Sequence, residues 1–270
     1  MAGLILMGKT NTPRVVLCDL DGVVWLAHTP IPGSVEAIAR LRAAGVRVIF
    51  VTNNSFSTYS QQVEALGSIG IPADGDVMTS AMSAVTALQP HWRVLVCGGE
   101  GLIEEVTRHG CEVVVAYEDR GAPGPFDAVV VGFHRQFDFA VLSDALTAIR
   151  AGARLIGSND DPTYPTPNGP IPGGGAILAA IAKATGAEPQ VTGKPYESMA
   201  QLVRSMCPGI DPSEMVMVGD RADTDGGFAR RVGSRFAFVH SGVSATDENI
   251  RPDIEADDLA GVVATLLSPE

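Results

Sequence analysis

The chain has 270 residues, 46% of them hydrophobic, with a formal net charge of −12 and a pI near 4.8. That length and apolar content allow one large domain or two modest ones. The acidity argues against non-specific binding of nucleic acid or an anionic membrane surface, and positive charge for any anionic ligand must be supplied locally. Cys18, Cys97, Cys111 and Cys207 have no CxxC or zinc-type spacing and read as reduced core thiols of a cytosolic protein. The opening "MAGLILMGKTNTP" has six apolar residues before Lys9 and no basic start, too short for the apolar region of a signal peptide. No uncharged apolar run reaches the roughly 18 residues of a membrane span. A cytoplasmic location is the expectation.

In chain order, "RVVLCDL" predicts a buried strand and "SVEAIARLRAAG" a helix. The strand-like "VRVIFVT" is followed by the helical "YSQQVEALGSIG". Next come "RVLVCG", "GLIEEVTRHG", "CEVVVAY", "DAVVVGF", "FAVLSDALTAIRAG" and "RLIGSN", again strands and helices. The segment "DDPTYPTPNGPIPGGG", residues 160–175, is rich in Pro and Gly and reads as a loop long enough to carry function. The helical "GAILAAIAKATG" and "YESMAQLVRSMC" lead to the strand "EMVMVGD", then "FARRVG", the strand "RFAFVH" and the helical "DDLAGVVATLL". Runs that are apolar throughout predict strands covered on both faces, and their alternation with helices predicts an α/β doubly wound parallel sheet. Gly45, Gly110, Gly152 and Gly186 fall where helices end in a left-handed residue.

Ligands of an open parallel sheet sit beyond the carboxyl ends of its strands. After the first strand come Asp19, Asp21 and Gly22; after the second, Thr52, Asn53 and Asn54. Lys194 follows "PQVTG", and Asp220, Arg221, Asp223 and Asp225 follow "MVMV". Each group alone has an ordinary structural explanation: a turn, a solvated lysine, a helix cap. Together they fit phosphoryl transfer to a carboxylate. Asp19 would attack as nucleophile, and Asp21 would protonate the leaving oxygen and then deprotonate water. Two carboxylates one residue apart need environments that separate their pKa values. Mg²⁺ on Asp19, Asp220 and the Asp21 carbonyl would answer the concentration of negative charge. Thr52 and the N–H groups after Asp19 and Thr52 would hold phosphoryl oxygens, and Lys194 would supply fixed positive charge.

The stretches "DLDGVVW", "VTNNS", "GKP" and "GDRADTD" resemble the four motifs of the haloacid dehalogenase superfamily. With "DDPTYPTPNGPIPGGGAILAAIAKATG" ahead of "GKP", they resemble its NagD-like branch, which includes 4-nitrophenyl phosphate, phosphoglycolate and pyridoxal phosphate phosphatases. The resemblance spans residues 13–267. It implies a Rossmann-like core, residues 1–88 and 189–270, with an α/β cap inserted at 89–188. It also implies Asp19 as nucleophile, Asp21 as acid and base, Thr52, Asn53 and Asn54 as phosphate binders, and Lys194 as the motif lysine. Asp220 becomes a Mg²⁺ ligand, with Asp225 in the layer behind it; Asp223 receives no role.

Two departures bear on substrate. Pyridoxal phosphate phosphatase-like members carry Trp-His where this chain has Thr163-Tyr164, and many relatives have an acidic residue where "VGFHR" places His134. Tyr164 and His134, or Arg135 beside it, are the expected specificity contacts. The implied activity is Mg²⁺-dependent hydrolysis of a small phosphomonoester: phosphoglycolate, glycerol phosphate, a sugar phosphate or a nucleoside monophosphate. A catalytically inactive phosphometabolite-binding regulator and a phosphotransferase of the same superfamily are the alternatives. Asp21 and Asp220 argue against a dehalogenase, and the long cap against a phosphomutase. The expected partners are the small phosphorylated metabolite and a second copy of the chain paired through the cap.

Overall fold

A computed structural model describes residues 12–164, 166, 169–243, 247 and 249–268. The N-terminal stretch before Thr12, and Pro165 and Pro167 of the Pro-rich loop, lie outside the described residues.

Residues 15–18 (VVLC) are apolar at every position because both faces of their sheet are covered. Val16 and Cys18 point into one buried cluster with Ile38, Leu41 and Phe50; Val15 and Leu17 point into another with Met199, Val203 and Phe228. Burial of each large side chain in such a layer is worth about 1.5–3 kcal/mol. The sheet has six parallel strands, in the order Ile254–Ala256, Arg235–Val239, Met215–Gly219, Val15–Cys18, Arg47–Thr52, Val77–Thr79. From the central Val15–Cys18 the chain runs first to one side and, much later, to the other. The gap between Val15–Cys18 and Met215–Gly219 is therefore a topological switch point.

Between these excursions lies a second, five-stranded parallel sheet, ordered Gln190–Val191, Arg154–Gly157, Ala128–Val131, Arg93–Cys97, Glu112–Val115. It is sandwiched in the same way, with Leu95, Val129 and Val131 on one face and Val94, Val96 and Val130 on the other. Helix boundaries follow local chemistry. Thr58 and Gln61 form a reciprocal capping box, Asp138 caps Phe139–Arg150, and Gly45, Gly110, Gly152 and Gly186 take positive φ as expected.

Three features differ from the sequence reading. Gln190–Val191, which precedes Lys194, pairs with Arg154–Gly157 of the second sheet, so Lys194 does not follow a strand of the first. The 160–175 loop contains a short antiparallel pair, Thr163–Tyr164 with Ile171–Pro172. The strands Val77–Thr79 and Ile254–Ala256 and the hairpin Trp25–Leu26/Thr29–Pro30 are too short to show periodicity.

Candidate active site

The sheet continues one residue past Cys18, where the Asp19 N–H donates to the Val218 carbonyl at 3.0 Å. The chain then turns sharply, with the Val24 N–H returning to the Leu20 carbonyl and Gly22 at φ +89°. A β-carbon at Gly22 would lie 2.4 Å from Asp220 Oδ2, so only glycine lets this turn approach the next strand's carboxylate. Asp19 and Asp220 thus meet across the switch point, and Asp225 joins them from the wide turn Ala222–Gly226. One carboxylate oxygen from each of the three lies within 4.8 Å of the others.

A single ammonium serves this cluster. Lys194 Nζ donates to Asp19 Oδ1 at 2.6 Å and to Asp225 Oδ1 at 2.7 Å, on a residue 2% exposed. Burial opposes the lysine charge, yet Asp19 and Asp225 overcome it and hold its pKa above the ordinary range. The carboxylates are pushed the other way. Burial raises Asp19, and it raises Asp225 to about 6 against the pull of Lys194. Asp220 is pushed up to about 8 by burial and by the charges of Asp225 and Asp19. Three carboxylates facing one ammonium leave a surplus of negative charge that a cation would relieve. All three donors are hard oxygens, which suits Mg²⁺ or Ca²⁺ better than a thiophilic metal. Asp225 has both oxygens engaged, by Lys194 Nζ and by the Arg221 N–H at 3.2 Å. Asp220 accepts the Val243 N–H on Oδ2 at 2.6 Å, and its other oxygen has no partner among the described residues.

These residues line a cavity of about 380 Å³, together with Asp21, Thr52, Tyr164 and Arg221. Asp21 is pushed up to about 6 by burial, with Trp25 and Lys194 pulling back. A carboxyl raised in this way keeps a proton at higher pH than an ordinary aspartate.

Sequence profiles match two stretches: "haloacid dehalogenase-like hydrolase" over residues 16–112 and a HAD-hydrolase-like profile over 191–264. The chain is 33% identical over 261 residues to an acid sugar phosphatase of Staphylococcus aureus, covering 94% of this chain and 98% of that one. The chain belongs to the haloacid dehalogenase-like hydrolases. It is also 38% identical over 235 residues to a D-glycerol 3-phosphate phosphatase of Mycobacterium tuberculosis, covering 85% of this chain and 64% of that protein's length. Among solved structures, a p-nitrophenyl phosphatase from Archaeoglobus fulgidus superposes with a TM-score of 0.82 at 31% identity, over 94% of this chain and 99% of that one. A glycerol phosphate phosphatase of M. tuberculosis in complex with magnesium gives a TM-score of 0.83 at 34% identity, over 97% and 82% of the two chains. These relatives place the chain among the NagD-like members of the haloacid dehalogenase-like hydrolases.

The other expected residues differ in how they meet the cavity. Asn53 and Asn54 line the cavity, but their amides are engaged by the protein. Asn53 Oδ1 accepts the Lys194 N–H at 2.8 Å, and its Nδ2 donates to the Lys194 carbonyl and to Asp161 Oδ2, at 3.1 and 2.9 Å. Asn53 therefore ties the first sheet, Lys194 and the 160–175 loop together. Asn54 Oδ1 accepts the N–H groups of Phe56 and Ser57, and its Nδ2 donates to the Tyr164 hydroxyl at 3.2 Å. Thr52 Oγ1 accepts the Asn54 N–H at 3.0 Å and remains on the cavity wall.

Tyr164 faces the cavity, its ring stacked on Phe133 at 4.7 Å. His134 is not on the cavity wall, which corrects the expectation for it. Its ring is buried, stacked on Tyr117 and edge-on to Phe137, with Nδ1 3.2 Å from the Gly132 carbonyl. Both residues lie past the end of the strand Ala128–Val131, and packing puts Phe133 against Tyr164 on the cavity side and His134 between Tyr117 and Phe137. Burial lowers the His134 pKa, which disfavours the charged form needed to bind an anion. Arg135 is exposed and lies over the Phe133 ring at 5.8 Å.

The sequence reading missed Phe133, Asp161 and a cavity role for Arg221. Asp161 was hidden in a segment read as loop, and Arg221 by its place among the three acidic residues of "GDRADTD".

Proposed function

We propose that this chain is a Mg²⁺-dependent phosphomonoesterase acting on a small metabolite through an aspartyl-phosphate. The observation that carries the reading is one cavity holding a buried Asp19 paired to Lys194 and, two residues on, Asp21 with its pKa near 6. The named activities of the relatives, acid sugar, glycerol 3-phosphate and p-nitrophenyl phosphatases, support it.

An Asp19 oxygen attacks phosphorus in line with the leaving oxygen. The P–O bond to the alcohol breaks, and that oxygen takes the Asp21 proton. Asp21, now ionised, removes a proton from water, which attacks the phosphoryl-aspartate, frees inorganic phosphate and restores Asp19. Lys194 offsets charge on Asp19 and the phosphoryl oxygens, which also meet the Thr52 hydroxyl and the main-chain N–H groups of Leu20 and Asn53. Mg²⁺, held by Asp19 and Asp220 with Asp225 behind them, would neutralise phosphoryl charge.

We further propose that the second sheet and its helices act as a cap inserted between about residues 89 and 191, past the expected end at 188 because Gln190–Val191 is an edge strand of that sheet, and that Tyr164 on its 160–175 loop meets the leaving group. Four free cysteines support a reducing compartment, the cytoplasm. Among the described residues no helix is long and apolar enough to cross a membrane. Pairing of two copies through the cap is supported by Phe139, an exposed aromatic on a second-sheet helix, and is tested by solution mass.

The test of activity is phosphate release from a panel of glycerol, sugar, nucleoside and glycolate phosphates, with Mg²⁺ and with EDTA. Turnover that needs the metal is the expected result. Tight binding of a phosphorylated metabolite without turnover under any metal would make the protein a binding regulator instead.

A further inference from the structure

We infer that Arg221 and Asp161 form a pair that reads hydroxyl groups on the leaving alcohol, so that the cavity favours polyol and sugar phosphates over phosphate esters carrying a carboxylate. This rests on the phosphomonoesterase reading and specifies its substrate class.

Both residues line the cavity that holds Asp19 and Asp21. They come from different sheets: Arg221 lies two residues past the first-sheet strand Met215–Gly219, and Asp161 four residues past the second-sheet strand Arg154–Gly157. Each is held in place by a neighbour. An Arg221 Nη2 donates to Asp223 Oδ2 at 3.2 Å, while its Nε is buried with no hydrogen-bond partner. Asp161 accepts Asn53 Nδ2 on Oδ2 at 2.9 Å, and its own N–H is fixed on Asn159 Oδ1 at 3.2 Å. The second carboxylate oxygen of Asp161 has no partner among the described residues. The two charges act on each other, yet the ion pair of Arg221 is with Asp223 and not with Asp161.

A cation and an anion that line one cavity without an ion pair between them call for a group that both donates and accepts. A hydroxyl does this, giving its O–H to Asp161 and accepting N–H from the guanidinium. A carboxylate on the leaving group would gain Arg221 but meet repulsion from Asp161. An aryl or plain alkyl group would leave both protein groups unpaired and desolvated. Neither residue is among the groups assigned above to the phosphoryl oxygens, so the pair would govern which ester is bound and not whether phosphorus is attacked.

The experiment compares kcat/KM for glycerol 3-phosphate, phosphoglycolate and 4-nitrophenyl phosphate in wild type, Asp161→Asn and Arg221→Met, all with Mg²⁺. Asp161→Asn keeps an oxygen for Asn53, so the loop anchor survives and the acceptor charge is lost. In that variant the ratio of glycerol 3-phosphate to 4-nitrophenyl phosphate should fall about tenfold or more, mainly through KM, the scale of losing one hydroxyl contact. The ratio of phosphoglycolate to glycerol 3-phosphate should rise. Arg221→Met should lower both natural-type esters relative to 4-nitrophenyl phosphate; if it does not fold, Asp161→Asn alone decides. Ratios unchanged in Asp161→Asn, or equal losses on all three esters, would overturn the pairing while wild-type turnover upholds the phosphatase reading. No wild-type turnover of any of the three would defeat that reading and the inference with it.

Discussion

Replacing Lys194 with Met keeps most of the side chain's bulk and removes one buried charge. In the wild type, Nζ sits 2.6 Å from Asp19 and 2.7 Å from Asp225, on a residue 2% exposed. At an effective dielectric of about 20, each contact is worth about 6 kcal/mol of attraction before desolvation is counted. The cost of burying the three charges offsets most of this, and deleting one partner of such a group costs about 3–5 kcal/mol. For a chain of this size, where each kcal/mol moves Tm by about 2–4 °C, the expected drop is about 6–20 °C in EDTA at about pH 7.5. Asp19 and Asp225 already have raised pKa values and rise further without the lysine. A carboxyl whose folded pKa exceeds its unfolded value of about 4 stabilises the fold fully below that value and loses the contribution as pH climbs through the folded pKa. The variant should therefore recover toward wild type as the pH is lowered to about 5. Asp225→Asn in the same background should recover part of the loss at neutral pH. Scanning calorimetry from acid to neutral pH reads all of this. A Tm within about 3 °C of wild type in EDTA at neutral pH, or a gap that widens on acidification, would refute the view that this ammonium holds the cluster together.

Asp19→Asn should abolish turnover, and Asp21→Asn should lower it by about 10²–10⁴-fold, with a smaller loss for 4-nitrophenyl phosphate, whose leaving group needs no proton. Asp21 must carry its proton in the first step, and burial raises its pKa to about 6, so kcat/KM for an alkyl phosphate should fall as pH rises through that value. A flat profile between mildly acidic and neutral pH would count against Asp21 as the acid. Asp220→Ala should weaken Mg²⁺ binding by more than the roughly 10–100-fold expected for Asp225→Ala, because Asp225 has both oxygens engaged within the protein. Titration calorimetry with Mg²⁺ separates the two, and equal losses would refute the ligand assignment. Tyr164→Ala should cost about 1–3 kcal/mol in kcat/KM for the best hydroxylated ester and less for 4-nitrophenyl phosphate. His134→Ala, which removes a buried ring stacked on Tyr117, should lower Tm and leave the ratio of the two substrates' kcat/KM unchanged.

What the sequence determined by itself is the local part. The runs "VVLC", "VIFV" and "MVMV" are apolar at every position, which a strand covered on one face alone would not need, so a parallel sheet with helices on both faces was legible from them. The site carboxylates were legible for a related reason. Asp19, Asp21 and Asp220 directly follow such runs, and charges there demand a partner or a chemical use. Three things were decided only by the tertiary structure. Lys194 reaches Asp19 from a residue 175 positions away, after a strand of the other sheet, and no local pattern encodes that path. The ties from the Asn53 and Asn54 amides to Asp161, Tyr164 and Lys194, all more than 100 residues distant, are likewise written in no local pattern. The sequence reading placed His134 in the cavity and gave Phe133 no role, because nothing local to "VGFHR" says which side chain faces the cavity. That choice was made by packing, which stacked Phe133 on Tyr164 and buried His134 against Tyr117.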